Sequence, residues 1–127
     1  QHVEVFTDGS LSGAWDADRL AQLASNLIGN ALQHGTTGKP VKVRVTGSDA
    51  DTVKLTVTNA GQIPTELLPN VFDPFRGGQR HLARHEGLGL GLYIVQQIVM
   101  AHEGTVGVRN IDAGHVSFEV NIPRYVR

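Results

Sequence analysis

Apolar residues recur along this chain with two different spacings, and these spacings divide it into predicted helices and strands. From residue 16 to about residue 33 they return every three or four positions, as on one face of an α-helix, and Asp16 is the expected N-cap. A second helix is predicted from about Leu90, with Gly104 as the glycine that ends it. The apolar faces comprise Leu20, Leu23, Ala24, Leu27, Ile28 and Ala31 in the first helix, and Leu92, Val95, Ile98 and Val99 in the second.

Strict alternation of apolar and polar residues predicts the strands. Residues 41–45 and 53–57 alternate in this way on either side of a turn, and residues 106–122 read as a terminal β-hairpin. A weaker alternation near residues 3–5 predicts an edge strand, and Thr65 is expected to cap a short helical segment. In chain order, these elements predict an α/β two-layer sandwich, with helices packed on one face of a mixed β-sheet.

Composition narrows the class of protein. The 127 residues fit one domain with a core of its own, and 40% hydrophobic and 18% charged residues are ordinary for a globular protein. A net charge of −1 gives no electrostatic reason to expect nucleic acid or an anionic membrane as a partner. The absence of cysteine excludes disulfides and thiolate metal sites. Because the chain begins at Gln1 and has no signal peptide or membrane-spanning run, we expect a cytoplasmic piece of a longer protein.

Glycine occupies every second position of the segment Gly87-Leu88-Gly89-Leu90-Gly91-Leu92, which leads directly into the second helix. Glycines let another group approach the backbone closely, and a helix start presents unpaired N–H groups and a positive dipole end. This combination favours a phosphate site. Tight packing of a helix start explains the same residues, so the segment alone leaves both interpretations open.

A polar stripe runs along the first helix beside its apolar face. It consists of Gln22, Asn26, Asn30 and Gln33, which project in similar directions. Asparagine is a poor residue for a helix interior because its amide competes for backbone hydrogen bonds. The stripe is either a solvated face or a pair of amides directed at a ligand or cation.

Residues 76–86 lack periodicity and are basic. Arg76, Arg80 and Arg84 are balanced by one acid, Glu86, and a solvated loop or a mobile lid over an anion accounts for them equally well. His81 and His85 have the spacing of a metal pair, but a metal site is disfavoured because no third ligand accompanies them.

Several phosphate-binding and metal-binding motifs are excluded. The chain has no Gly-x-x-x-x-Gly-Lys-Ser/Thr, and Leu92 stands where a dinucleotide-binding loop needs its third glycine. A protein-kinase fold of the serine/threonine type needs more chain than is present, and no zinc or calcium motif occurs.

Four segments in a fixed order resemble the catalytic ATP-binding domain of sensor histidine kinases, in the superfamily shared with gyrase, heat-shock chaperone and mismatch-repair ATPases. Residues 26–34, Asn-Leu-Ile-Gly-Asn-Ala-Leu-Gln-His, are similar to the N box, and residues 59–64, Asn-Ala-Gly-Gln-Ile-Pro, to a shortened first glycine box. Phe72-Asp73-Pro74-Phe75 resembles the F box, and residues 87–92 resemble the second glycine box. The likeness spans nearly the whole chain and implies a Bergerat-type ATP-binding fold over residues 1–127, with a lid at about 76–86.

The resemblance implies roles for individual residues. Asn30 would supply its amide oxygen to Mg²⁺, Asn26 would hydrogen-bond near the metal, and His34 would lie near the phosphates, so these three form the expected catalytic set. Phe72 and Phe75 would anchor the lid in the core rather than stack on adenine. The expected nucleotide-binding residues are Asn59, Gly61, Arg80, Arg84, Gly87, Leu88, Gly89, Leu90, Gly91 and Leu92.

One departure from the family pattern concerns adenine recognition. The family usually has Asp in the first glycine box, and alignment on Gly61 places Asn59 there, whereas alignment on residues 63–64 places Thr58 there. We prefer Asn59, because its oxygen can accept from the adenine amino group and its NH₂ can donate to a ring acceptor.

The resemblance also implies a reaction and partners. The domain would bind ATP or ADP with Mg²⁺ and supply the γ-phosphoryl group to a histidine on a separate helical dimerisation domain, with a response regulator downstream. Superfamily ATPases usually carry Glu where Asn26 stands, so transfer is favoured over hydrolysis. The chain would be monomeric, would not phosphorylate itself, and would contact neither membrane nor nucleic acid. The alternatives are a hydrolytic ATPase or serine kinase of the superfamily, and a degenerate, non-catalytic docking module.

Overall fold

In the computed structural model the chain is described over residues 2–74, 90–112 and 114–125, and the structural statements below refer to these ranges. Asp16 caps the first helix as predicted, because its carboxylate accepts a hydrogen bond from the Arg19 N–H at 3.1 Å. The elements in chain order are β1 (Val3–Gly9), α1 (Ala17–His34), β2 (Val41–Gly47), β3 (Thr52–Ala60), a 3₁₀-helix (Thr65–Asn70), α2 (Gly91–Ala101), β4 (Thr105–Asp112) and β5 (His115–Pro123).

The strands form one sheet in the order β1-β2-β3-β5-β4. The β1–β2 pair is parallel and the other three pairs are antiparallel, so the sheet is mixed, as predicted. A parallel pair requires a crossover, and α1 provides it. The order leaves β1 and β4 at the two edges and puts β3 at the centre.

One core lies between the sheet and the two α-helices. The alternation in the strands points valines such as Val43 and Val57 inward, opposite each other in the register of β2 and β3. Side chains of both predicted helix faces are buried there, which confirms the α/β sandwich. The buried members of these faces are Leu23, Leu27 and Ala31 in α1, and Leu92, Val95, Ile98 and Val99 in α2. Among the described residues, no helix combines the length and apolar character needed to cross a membrane.

Two predicted caps are wrong. Thr65 is the first residue of the 3₁₀-helix, which follows Pro64 and has no side-chain cap. At the end of α2 the residue with positive φ is Glu103, at 61°, and the Gly104 N–H donates to the Val99 carbonyl at 2.9 Å. Gly104 therefore follows the left-handed residue rather than being it. A Cβ on Gly104 would lie 2.3 Å from the Asn121 carbonyl oxygen, so glycine is needed for the close approach of β5.

The end of the sheet where β3 begins is held by a buried arginine. Arg124 is 6% exposed, and its guanidinium donates to the carbonyls of Ser12 and Gly47 at 2.8 and 2.9 Å, and to that of Asp49 at 2.9 Å. One side chain thus ties the β1–α1 connection and the β2–β3 turn to the end of β5. We call this group, Arg124 with its three carbonyl acceptors, the arginine clasp.

The N-terminus of α1 is fixed beside the arginine clasp by two further long-range hydrogen bonds. The Trp15 indole N–H donates to the Pro123 carbonyl at 2.8 Å. The buried His102 ring lies between the Ile98 carbonyl, 2.9 Å from Nδ1, and the Asp16 N–H, 3.4 Å from Nε2. The imidazole therefore links the end of α2 to the start of α1.

Candidate functional site

The polar stripe of α1 lies beside the first turn of α2. Asn26 and Asn30 are half-buried, and the Asn26 carboxamide nitrogen donates to the Gly91 carbonyl at 3.4 Å. The Asn30 side chain, one turn further along, makes no hydrogen bond to another described residue. Of the two asparagines, Asn26 joins the two helices, whereas no described residue binds the Asn30 carboxamide.

The first turn of α2 presents backbone N–H groups to the same region. Leu90 is the residue at the N-cap, and its carbonyl accepts the first helical bond, from the Ile94 N–H at 2.9 Å. The N–H groups of Gly91, Leu92 and Tyr93 have no partner inside the helix, and no side chain of a described residue caps them. The start of an α-helix with such groups attracts anions.

Asn59 lies at the end of β3 on the side of the sheet that faces the helices. It is 3% exposed, its Nδ2 donates to the Ala60 carbonyl at 2.9 Å, and its Oδ1 accepts no hydrogen bond from another described residue. A Cβ on Gly35, just after α1, would lie 3.2 Å from the Asn59 Cβ, so the ends of α1 and β3 are in close contact.

Thr58 occupies the opposite face of the sheet. Its hydroxyl is 3.2 Å from the Ser117 hydroxyl, the residue opposite it in the register of β3 and β5. Of the two candidates for the departure in the first glycine box, only Asn59 therefore points toward the helices.

Gly61 continues from Asn59 and lies near the end of α1. Its φ of 131° favours glycine, and a Cβ there would lie 3.7 Å from the His34 carbonyl oxygen. His34 is the exposed last residue of α1. The described parts of the N box, the first glycine box and the second glycine box thus border one continuous region.

Several predicted residues lie outside the described ranges. These include the lid residues and the first part of the second glycine box: Phe75, Arg76, Arg80, His81, Arg84, His85, Glu86, Gly87, Leu88 and Gly89. Phe72 is described and packs edge-on against Phe118, with ring centroids 6.0 Å apart, as expected of a core aromatic.

Asn110 is a residue of this region that the sequence reasoning missed. Its Oδ1 accepts from the Ile63 N–H at 3.0 Å and its Nδ2 donates to the Ile63 carbonyl at 2.9 Å. A signal was available, since Val106 and Val108 point inward from β4 and the next inward position carries an amide instead of an apolar residue.

The β4–β5 hairpin places an exposed carboxylate near the first glycine box, because the Gln62 side chain binds the Asp112 carbonyl. The Gly114 N–H, and to a lesser degree the His115 ring, hold the pKa of the exposed Asp112 carboxyl below its usual value. Within the described ranges, no three His, Asp or Glu side chains cluster as a metal site would require.

Comparison with known proteins identifies the family to which the fold belongs. The family model for histidine kinase-, DNA gyrase B- and HSP90-like ATPases matches residues 15–126. The chain is 41% identical over 108 residues to a bacteriophytochrome of Pseudomonas aeruginosa, and 35% identical over 122 residues to the signal transduction histidine-protein kinase AfsQ2 of Streptomyces coelicolor. These matches cover 84% and 96% of the chain but only 15% and 22% of the relatives' lengths.

A solved structure gives the same result. The nucleotide-free catalytic domain of histidine kinase ThkA matches with a TM-score of 0.81 at 28% identity, over 98% of this chain and 82% of that one. The predicted resemblance and fold class are confirmed. The chain belongs to the family of histidine kinase-, DNA gyrase B- and HSP90-like ATPases.

Proposed function

We propose that this domain binds ATP together with Mg²⁺ and supplies the γ-phosphoryl group to a histidine on a separate dimerisation domain. The observation that carries the proposal is the convergence of three groups at one end of the α1–sheet layer. These groups are the Asn30 carboxamide, the uncapped first turn of α2, and the Asn59 oxygen. Each keeps hydrogen-bonding capacity that the described part of the protein does not use.

Asn59 suits the adenine end of the nucleotide. One N–H of its Nδ2 donates to the Ala60 carbonyl, which orients the carboxamide, and its oxygen accepts from no other described residue. An oriented acceptor oxygen can bind the exocyclic amino group of adenine. Guanine carries a carbonyl oxygen at that position, and the two oxygens would repel each other. The asparagine therefore supports adenine recognition without the family's usual carboxylate.

Asn30 and the first turn of α2 suit the phosphate end. An amide oxygen is a hard ligand of the kind Mg²⁺ accepts, and one protein ligand suffices because Mg²⁺ usually keeps several waters and binds phosphates. When bound, Mg²⁺ would offset the negative charge of the phosphates. The N–H groups of Gly91 and Leu92 would bind phosphate oxygens.

Asn26 favours transfer to a protein over hydrolysis. A carboxamide cannot remove a proton from water, and its nitrogen is already bound to the Gly91 carbonyl at 3.4 Å. Phosphoryl transfer depends mainly on positioning and charge stabilisation, which this set of amides and N–H groups supplies. The acceptor histidine would come from a dimerisation domain, and a response regulator would take the phosphoryl group from it.

Isothermal titration of the chain with ATP and ADP, with and without Mg²⁺, tests the proposal. We expect binding of both nucleotides, strengthened by Mg²⁺ for ATP. Absence of binding at millimolar nucleotide would favour a docking module instead. Mixing the chain with its dimerisation domain and labelled ATP distinguishes a histidine kinase from a hydrolytic ATPase. For a histidine kinase we expect label on histidine and little free phosphate. Rapid phosphate release with the acceptor histidine removed would indicate a hydrolytic ATPase.

A further inference from the structure

We propose that Asn110 is a positioning residue for nucleotide binding, which holds the first glycine box in the shape that presents Asn59 and Gly61 to the adenine end of the ligand. This inference rests on the proposed function. Asn110 lies on β4, 49 positions after Gly61 and 51 positions after Asn59.

The contact between Asn110 and Ile63 is bidentate. The carboxamide accepts from the Ile63 N–H at 3.0 Å and donates to the Ile63 carbonyl at 2.9 Å. A carboxamide carries the same donor and acceptor as a peptide group, so the side chain pairs with Ile63 as a neighbouring strand would. Two such bonds fix the rotation of the loop backbone as well as its distance from β4.

The two residues before Ile63 are bound to the same hairpin. The Gly61 N–H donates to the Gly114 carbonyl at 2.8 Å, and the Gln62 side chain donates to the Asp112 carbonyl at 2.9 Å. Three consecutive loop residues are thus held by β4 and the β4–β5 turn. A loop of this composition has no secondary structure of its own, so these bonds set its shape.

The loop shape is transmitted to Asn59 through one peptide group. The Ala60 carbonyl accepts from the Asn59 Nδ2 at 2.9 Å and from the Thr36 N–H at 3.0 Å. A rotation of the chain at Gly61 would tilt that carbonyl and with it the Asn59 carboxamide. Asn110 therefore acts on the ligand through Asn59 rather than by touching it.

The choice of asparagine at this position indicates a purpose beyond core packing. Val106 and Val108 precede Asn110 on the inward side of β4 and contact the core. A valine at the third inward position would bury more apolar surface, whereas the half-buried carboxamide gains only the two bonds to the loop.

Titration of Asn110→Ala with ATP and ADP, well below its unfolding temperature, tests the assignment. We expect both nucleotides to bind about tenfold more weakly, because they share the adenine end, while the ratio of ATP affinities with and without Mg²⁺ is unchanged. Asn121→Ala is the matched control, since its Nδ2 donates to the Glu119 carboxylate at 3.2 Å within β5. Its nucleotide affinity should equal that of the wild type.

Local hydrogen exchange gives a second readout that global destabilisation does not mimic. In Asn110→Ala the amides of Gly61 and Ile63 should exchange faster while those of α1 keep their protection. Asn110→Asp, which keeps the acceptor but loses the donor, serves if the alanine variant does not fold, and we expect the same pattern.

The outcomes separate the two proposals. If the wild type binds ATP and the Asn110 variants bind it equally well, the positioning role is rejected and the proposed function stands. A change in the Mg²⁺ ratio would also reject the assignment to the adenine end. If the wild type binds neither nucleotide, both proposals fall.

Discussion

The two ends of the layer between α1 and the sheet differ in how their polar side chains are used. Where α1 begins, the arginine clasp, the Trp15–Pro123 hydrogen bond and the Asp16–His102 hydrogen bond join chain segments that are far apart in sequence. Where α1 ends, the Asn30 side chain and the Asn59 oxygen bind no other described residue. Both ends contain buried or half-buried polar groups, so burial alone does not identify a site.

The contrast between the two ends therefore lies in their hydrogen bonding, because the end of α1 keeps side-chain oxygens that no described residue binds. A buried polar group without a partner is costly, and among the described residues no buried side-chain nitrogen or oxygen atom lacks one. At the arginine clasp every donation serves the fold. At the other end, the proposed function assigns the unbound oxygens of Asn30 and Asn59 to the ligand. The comparison predicts that substitutions at the two ends separate stability from nucleotide affinity.

Arg124→Met should have the largest effect, and on stability. It leaves the carbonyls of Ser12, Gly47 and Asp49 without their buried donor, so we expect the free energy of unfolding to fall by about 2 to 4 kcal/mol. Urea unfolding measures this loss. Arg44→Met is the control, because that guanidinium lies over the Phe6 ring on the exposed side of β2. If Arg124→Met kept its stability and lost its ATP affinity, the arginine clasp would serve ligand binding rather than the fold.

Asn59→Leu should mainly affect binding. The leucine has a similar volume but no acceptor, so ATP and ADP should each bind about tenfold more weakly, with the Mg²⁺ dependence retained. Titration calorimetry of both nucleotides measures the change. Equal affinity in variant and wild type would reject Asn59 as the adenine acceptor.

The glycines at the two ends of α2 offer a paired test. A Cβ on Gly91 would lie no closer than 4.0 Å to Asn26, so Gly91→Val should cost binding about fivefold while leaving the melting temperature nearly unchanged. Gly104→Val should lower the melting temperature and leave nucleotide affinity nearly unchanged, because a Cβ there would lie 2.3 Å from the Asn121 carbonyl oxygen. A collapse of thermal stability in Gly91→Val would mean that this glycine serves packing.

The smallest effect is expected at the hairpin tip. In the folded state the pKa of Asp112 is lowered first by the Gly114 N–H and then by His115. Its stabilising contribution is therefore present above the unfolded pKa and is lost as the pH falls through the folded value. In His115→Ala the Asp112 pKa should rise but stay below 3.8, as followed by NMR titration. A rise to 3.8 or above would show that His115 is the main cause.

Local patterns in the sequence predict most of the fold. The two helices, their buried faces, the Asp16 cap and the antiparallel strands all follow from periodicity and capping, which depend on neighbours in sequence. The end of α2 was mispredicted because Gly104 is required by the approach of β5, a tertiary contact. Arg124 escaped notice for the same reason, since its acceptors lie 75 to 112 residues away.

In the candidate site, too, some residues can be predicted from local sequence patterns and others depend on tertiary contacts. The Asn26 and Asn30 stripe is visible in the sequence because both residues lie on one helix face. The choice between Asn59 and Thr58 could have been made from alternation, since Val57 points inward and Asn59 shares its side. The role of Asn110 depends on a loop 47 residues earlier in the chain, and no local pattern predicts that contact.

Whether Asn30 is reserved for the Mg²⁺-bound nucleotide is tested by comparing Asn30→Ala with the wild type. Two measurements are needed, ATP titration with and without Mg²⁺ and urea unfolding. The Asn30 side chain binds no other described residue, and alanine is the better helix former, so stability should be unchanged or rise by about 0.5 kcal/mol. The gain in ATP affinity that Mg²⁺ gives the wild type should disappear. An unchanged Mg²⁺ dependence, or a clear loss of stability, would contradict the claim that Asn30 is reserved for the ligand.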